Sequence, residues 1–536
     1  MSAKSKDKAA QPVKSGKSVN SAKPIDELVS KYFWLVIPVL TILYFMYKNV
    51  SVGFYQDDEI AQYINMINFW HDPAVVLGNF AKPGYKIFLV VPAYFGYNYV
   101  LLVNSLISAS TVYLTYVLLK TYKINYAAIG ALLLATQPMF LELSFRSYSE
   151  IFTSFCFVLF LILYKKEKFF LSATLLGFIF TVRQESALLM IVMAILFIRD
   201  RRYKDIIALA IFPVIYTILG YLKTGDILYI ITEMRAVAGL NYKSQGLMHY
   251  FKVYVFIVGP VCLSLFLLGF FGFFKDIKNY KKYISDYFLF YVIFVIIFIT
   301  QMLTMINDGP NPGNWRYLLH ISPICAFFAT VGLNNLADSG FKKINYYITG
   351  IFALLVLLFL SKATDGFILL DQTDYTKLIF VILFLGLSAA LWSNSKFNYL
   401  NKLSITLVIL AALHLYFGVQ PRKLSPENVA VKETSDYVSG ISGLDAREKL
   451  SNHTMIQFYS PSYRTNPLTF KKLDSKELAA APKRTIVIWD SHYSNRPEFQ
   501  NDVKLETIEK DSADYKLLKQ IVSNDRRFGS YIFEKQ

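Results

Sequence analysis

Three carboxylates stand together in Phe54-Tyr55-Gln56-Asp57-Asp58-Glu59, directly after the first hydrophobic stretch of the chain. Behind them Ile60, Ile64, Ile67 and Trp70 recur at helical spacing beside polar Gln62, Asn65 and Asn68. That pattern predicts a helix lying in a membrane surface with the acids at its N-terminus. A carboxylate held there can act as general base on a hydroxyl brought to the membrane. A blander reading makes Asp57 a helix cap and leaves Asp58 and Glu59 to complement the positive end of the dipole. The same side chains also offer oxygen ligands for a divalent metal ion.

A membrane must position these groups. With 536 residues, 54% of them hydrophobic, 16% aromatic and only 17% charged, the chain is too apolar for a soluble protein of its size. It reads as an α-helical polytopic membrane protein. The net charge of +17 does not point to nucleic acid, because Lys and Arg lie in small clusters between hydrophobic spans. There they set topology and touch anionic membrane lipids.

Residues 1–30, rich in Lys, Ser and Ala, read as a disordered cytoplasmic tail, and residues 31–418 as the transmembrane part, opened by an uncleaved anchor near Tyr32 to Tyr47. Further spans are expected near 97–119, 126–143, 150–164, 169–182, 186–198, 206–222, 251–274, 286–306, 316–336, 344–361, 376–393 and 403–418. Every second connection is basic, with Lys120, Lys165, Arg199, Lys281, Lys342 and Lys396 as examples. Those connections belong on the cytoplasmic side, which gives about thirteen spans and an outer C-terminus. The opposite connections hold the acids at 57–59, then Glu142 to Glu150, Val182 to Glu185, Lys223 to Tyr250 and Asn307 to Arg316.

Residues 419–536 change character and read as a small soluble α/β domain on the outer face. Ser425 caps a helix running from Pro426 to about Val438. Thr454 to Tyr459, Thr485 to Trp489, Val503 to Ile508 and Ser530 to Phe533 read as β-rich runs. Cys156, Cys262 and Cys325 fall in apolar spans, as packing residues do. The histidines are scattered without HxxxH or HExxH spacing, which gives a preformed metal site little support.

The order of features from Asp58 onward resembles the GT-C type membrane glycosyltransferases that use polyprenyl-phosphate sugars, the protein mannosyltransferase and aminoarabinose transferase-like superfamily. Those enzymes carry an acidic pair at the start of a juxtamembrane helix in the first outer loop, and here Asp58-Glu59 matches, with Asp57 an extra acid before it. A Pro-containing turn with aromatics follows in Pro83-Gly84-Tyr85-Lys86-Ile87-Phe88, where Gly84 departs from the commoner second proline. Ala135-Thr136-Gln137-Pro138 at the end of a later span also matches. The likeness covers most of residues 30–340, as a layout more than as a strict motif.

The resemblance implies a GT-C-like fold with juxtamembrane helices in the first outer loop. It also implies sugar transfer from a polyprenyl-phosphate donor to a glycan, lipid or protein acceptor by a single inverting displacement. Asp58 then becomes the first choice for the base, with Asp57 and Glu59 as its companions, and Tyr85 is placed beside the substrate. Glu150 is a candidate for a sugar hydroxyl or for assisting the base, against a plain loop ion pair with Arg146. Arg183 and Glu185 bracket a tight turn, where Arg183 either binds phosphate or snorkels to the headgroups. Arg316, after a Pro- and Gly-rich loop and with His320 one turn on, is the stronger phosphate candidate, against a topological anchor aided by Trp315. The long loop 223–250 is expected to be a lid. No cofactor beyond a possible metal ion is implied, and a bacterial inner membrane fits the composition.

A transporter or lipid-linked glycan flippase is the alternative. Such proteins carry ionisable groups near the bilayer midplane, whereas here the acids crowd one surface. A third reading is an assembly scaffold whose outer domain is the working part.

Overall fold

The computed structural model describes residues 30–339, 362–363, 366–367 and 399–536, except residues 79, 81, 240, 241, 442, 444, 445 and 498–500. The expected tail over 1–29 and the spans near 344–361 and 376–393 lie outside them. Apolar runs become helices because a backbone in hydrocarbon must satisfy its own hydrogen bonds. Five described helices are long and apolar enough to cross a membrane: Ser30–Tyr47, Tyr97–Thr121, Tyr203–Thr224, Pro260–Asp286 and Trp315–Leu336. Phe169–Val182, His249–Val258 and Phe288–Leu303 are shorter apolar helices.

Two expected spans are broken. The 126–143 stretch divides into Ala127–Ala135 and Pro138–Leu143, and the 251–274 stretch into His249–Val258 and Pro260–Phe270. A proline opens the second half each time, because it has no N–H to continue the ladder. At the later break Gly259 adopts a φ of 81°, which glycine accepts without steric cost.

Small residues let backbones approach closely. A Cβ on Gly269 would stand 1.8 Å from the Phe328 carbonyl oxygen, and one on Gly332 would stand 2.0 Å from that of Leu265. The Pro260–Phe270 and Ser322–Ser339 helices therefore pack without a side-chain layer at these points. This fixes the late span that Arg316 precedes.

The two ends of the helical part differ as the charge pattern implies. Tyr122, Lys165, Arg199 and Lys281, from four basic connections, line one cavity of about 620 Å³. The acid-bearing connections meet elsewhere, where the Tyr242 N–H donates to the Gly309 carbonyl at 3.0 Å and the Ser244 N–H to Asp308 Oδ1 at 2.8 Å. The 223–250 stretch holds a helix, Tyr229–Ala238, whose first residue Tyr229 is buried against Tyr216.

The C-terminal part contains a five-stranded sheet in the spatial order Phe470–Lys471, Lys449–Leu450, Ile486–Asp490, Gly529–Lys535, Tyr515–Val522. The first three strands are parallel and the last two pairings antiparallel, with Ile488 opposite Ile532. Ile486–Asp490 is buried throughout, as a run of apolar residues at the centre of a sheet should be. Ser425 caps Pro426–Ser439 as expected, its Oγ accepting the Asn428 N–H at 3.1 Å.

Two expected strands are helices instead. Thr454–Tyr459 is α-helical, capped by His453, and Leu505–Lys510 replaces most of the 503–508 run. Segments of this length are decided by tertiary contacts over propensity. Tyr515–Val522, an edge strand bearing Lys516 and Lys519, escaped the sequence pattern because its polar face hides the alternation.

Candidate active site

Successive helical residues point about 100° apart, so the three neighbouring acids cannot share one task. Asp57 precedes the Asp58–Asn68 helix without capping it, and its Oδ2 accepts instead from the Tyr493 hydroxyl at 2.8 Å. Asp58 turns to Arg316 and keeps its side chain 38% exposed. Glu59 points inward, only 1% exposed, and pairs with Arg146 Nη1 at 3.2 Å. It also accepts from the Tyr97 hydroxyl and the Tyr55 N–H. Asp58 is thus the one of the three that combines access with a cation, and the three carboxylates turn to three different partners.

Arg146 pairs with Glu59 and Glu142, not with Glu150 as the loop reading expected. Its Nη1 also donates to the Gly53 carbonyl at 2.7 Å and its Nη2 to Ser51 Oγ at 3.0 Å. Buried and fully engaged, it has no donor to spare for a substrate. Arg422, from the C-terminal part, completes this knot on Glu142 at 2.6 Å.

Glu150, fully buried in the first turn of Ser149–Lys165, instead orients two arginines. Its Oε1 receives Arg316 Nη1 at 3.2 Å and Arg183 Nη1 at 3.4 Å. Arg316 therefore forks between Glu150 and Asp58, with its Nε lacking a partner among the described residues. Its guanidinium lies over the rings of Tyr148 and Tyr317, at 4.7 and 5.1 Å. Arg183 lies over the Tyr317 ring too, at 5.3 Å, and pairs with Glu185 at 2.8 Å. Glu185 in turn accepts from Gln301.

Arg316 stands where the loop before it is locked. Asn311 Nδ2 donates to the Gln301 carbonyl at 3.0 Å, and Asn311 Oδ1 accepts the Gly313 N–H at 2.8 Å. Gly313 adopts a positive φ of 83° and its carbonyl meets His249 Nε2 at 2.8 Å. Gln56 Nε2, just before the acids, donates to Asn314 Oδ1 at 2.8 Å. The loops that carry Gln56 and Asn314 are thereby held in register.

His320 is fully buried, with no hydrogen-bond partner for either ring nitrogen among the described residues and Phe157 beside it. Tyr85 is enclosed as well, its hydroxyl within 3.4 Å of both Asn104 and Ser147. It is packed in the interior, with Glu150 and Glu59 near enough to act on its phenol electrostatically.

Lys82 was not anticipated. It stands before Pro83 with a φ of 54°, a strained conformation costing on the order of 1–3 kcal/mol that the surroundings must impose. Burial is the main cause of a pKa lowered to about 8, with Glu150 and Asp58 favouring its charge and Arg183 and Arg316 opposing it. Lys86, one turn on, is fully buried with no hydrogen-bond partner for its Nζ among the described residues. A lysine in a connection of the acid-bearing face runs against the positive-inside bias of the expected topology, and that was the signal available for both.

Among the histidines, His453 and His492 converge from distant parts of the C-terminal domain on Glu427. Scattered spacing concealed this meeting. His492 Nδ1 lies 2.5 Å and His453 Nε2 3.3 Å from Glu427 Oε1. Asp57 closes the group from the other side.

No family model and no curated protein matches the sequence. Solved structures do match. The crystal structure of ArnT from Cupriavidus metallidurans bound to undecaprenyl phosphate superposes with a TM-score of 0.60 at 11% identity, covering 94% of this chain and 98% of that one. The apo state of the same protein gives 0.59 at 10% identity with the same coverage. The chain therefore has the ArnT-like, GT-C-type fold that the resemblance implied.

Proposed function

We propose that this chain is an integral-membrane glycosyltransferase that moves a sugar from a polyprenyl-phosphate donor to an acceptor hydroxyl. The observation that carries this reading is the fork of Arg316 between half-open Asp58 and buried Glu150, with Arg183 on the same carboxylate. The undecaprenyl phosphate bound by the ArnT of like fold supports the lipid class of the donor.

In this reading Asp58 takes the acceptor proton while the acceptor oxygen attacks the anomeric carbon. The bond from that carbon to the phosphate oxygen breaks, and the electron pair leaves on the phosphate. Arg316, Arg183 and Lys82 stabilise the charge developing there, and Glu150 keeps the arginines aimed. A phosphate drawn to Arg316 competes with Asp58 for the guanidinium, which releases the carboxylate to act as base. Attack opposite the leaving group inverts the anomeric centre. The site lies on the non-cytoplasmic face of a bacterial inner membrane in this reading, because the basic connections gather away from it.

Mass spectrometry of lipids and glycans from cells with the protein, without it, and with Asp58→Asn tests the proposal. A sugar modification present only with the unaltered protein is expected, lost by about 10²–10⁴-fold in rate with the amide. Equal product from Asp58→Asn at normal abundance removes Asp58 as base, and no change between the first two strains removes the reaction.

A further inference from the structure

We infer that Asp57, Glu427, His453 and His492 form a binding site for a first-row divalent metal ion of the Zn²⁺ class, joining the C-terminal domain to the acid-bearing helix. One ligand atom from each lies within 4.8 Å of those of the others. Two imidazoles and two carboxylates match the donor set that Zn²⁺ accepts in tetrahedral sites, whereas the nitrogen donors disfavour Mg²⁺ and Ca²⁺. With both imidazoles neutral, the two carboxylates carry the charge that a divalent ion balances.

Each donor is presented by a separate, fixed element. Glu427 lies in the first turn of Pro426–Ser439, and His453 caps Thr454–Tyr459. His492 lies in a turn whose backbone is tied down by Asp490 Oδ1, which accepts the His492 and Tyr493 N–H groups at 3.0 and 2.6 Å. Tyr493 donates its hydroxyl to Asp57 Oδ2, orienting that carboxylate from outside the ligand set. An entry path exists as well, since Glu427 and His492 border a polar cavity of about 460 Å³.

The four donors are not equivalent. His453 Nδ1 accepts the Met455 N–H at 3.3 Å, so its Nε2 carries the proton that faces Glu427. Ligation through Nε2 moves that proton to Nδ1 and sacrifices this contact, which makes His453 the weakest ligand. His492 and Glu427 meet no such obstacle. Metal binding displaces the imidazole protons from Glu427 and links Asp57, the residue before Asp58, to three side chains of the other domain. The inference stands independently of the transfer reaction.

The test is metal content of the full-length protein, purified without a metal-affinity step and measured by elemental mass spectrometry, with Co²⁺ absorption and Zn²⁺ titration on the chelated protein. Near-stoichiometric metal and a tetrahedral Co²⁺ spectrum are expected. Glu427→Gln and His492→Ala should each lose the metal, while His453→Ala weakens binding and retains part of it. Tyr493→Phe should lower Zn²⁺ affinity by about tenfold. A Zn²⁺-induced rise in Tm of the unaltered protein, absent from Glu427→Gln, covers the case of a variant that folds poorly. A metal-free chain that neither binds Zn²⁺ nor gains Tm overturns the inference, as does unchanged stoichiometry in both Glu427→Gln and His492→Ala. A sugar-transfer assay decides none of these outcomes, so failure here and failure of the proposed reaction are separately visible.

Discussion

Arg316 presents a planar fork whose two ends already rest on carboxylates, so its geometry matters more than its charge alone. Arg316→Lys keeps the charge and loses the fork. It is expected to cut transfer by about 10²-fold, read as initial rate with the donor saturating, and a variant within twofold of the unaltered protein would deny Arg316 its role. Lys82 supplies a pH signature. Its ammonium is charged below a pKa of about 8 and neutral above it, so a rate that needs the charge falls as pH rises through that value. The fall should show in kcat/KM for the donor, which reports the free enzyme. Lys82→Arg stays charged throughout and should carry the rate to higher pH. Identical profiles for the two proteins would take Lys82 out of the site.

At the scale of elements, the acid-bearing helix is held less by its own propensity than by what Glu59 meets. Glu59 sends a carboxylate to Arg146, which also holds Glu142, the Gly53 carbonyl and the Ser51 hydroxyl. Arg422 arrives on the same Glu142, and its carbonyl accepts the Gly53 N–H at 2.8 Å. Gly53 leaves no room for a side chain, since a Cβ would stand 2.0 Å from the Lys423 carbonyl oxygen. Arg146→Met should leave buried Glu59 without its cation, with Glu142 keeping only Arg422, and destabilise the protein by about 3–5 kcal/mol. Thermal unfolding in detergent measures this, and a Tm equal to that of the unaltered protein would refute the strut. The sequence showed Arg146 and Glu150 near each other and invited a pairing that the fold does not make, because Glu150 faces Arg316 and Arg183.

For the whole molecule, the question is how firmly the C-terminal domain sits on the membrane part. Phe458 meets Phe54, Tyr63 and Tyr97 edge-on at 5.8, 5.9 and 5.2 Å. Tyr463 donates to Asn68 Oδ1 at 2.7 Å, and Tyr493 to Asp57. The domain thus touches both ends of the Asp58–Asn68 helix, which makes it a brace for the element that carries Asp58. Aromatic pairs contribute about 0.5–1.5 kcal/mol each beyond their buried area. Phe458→Ala is accordingly expected to loosen the seat and to raise hydrogen exchange along residues 58–68 while leaving the sheet protected. Unchanged exchange on that helix would mean that the domain does not brace it.

Hydrophobic spans, their basic connections and the gathering of acids on the opposite connections follow from composition and charge order, because partition into lipid acts on each stretch by itself. The sequence therefore determined a polytopic helical chain with Asp58 and Arg316 on one face and a separate C-terminal domain. It also placed the cysteines in apolar spans, and all three are buried and free in the structure. Tertiary structure alone decided partners: Glu59 inward to Arg146, Glu150 between two arginines, Tyr85 into the core, Thr454–Tyr459 as helix. It also brought His453 and His492 to Glu427 and Asp57. Such pairings depend on the approach of backbones distant along the chain and on the directions of neighbouring side chains, and no local pattern of residue types encodes either.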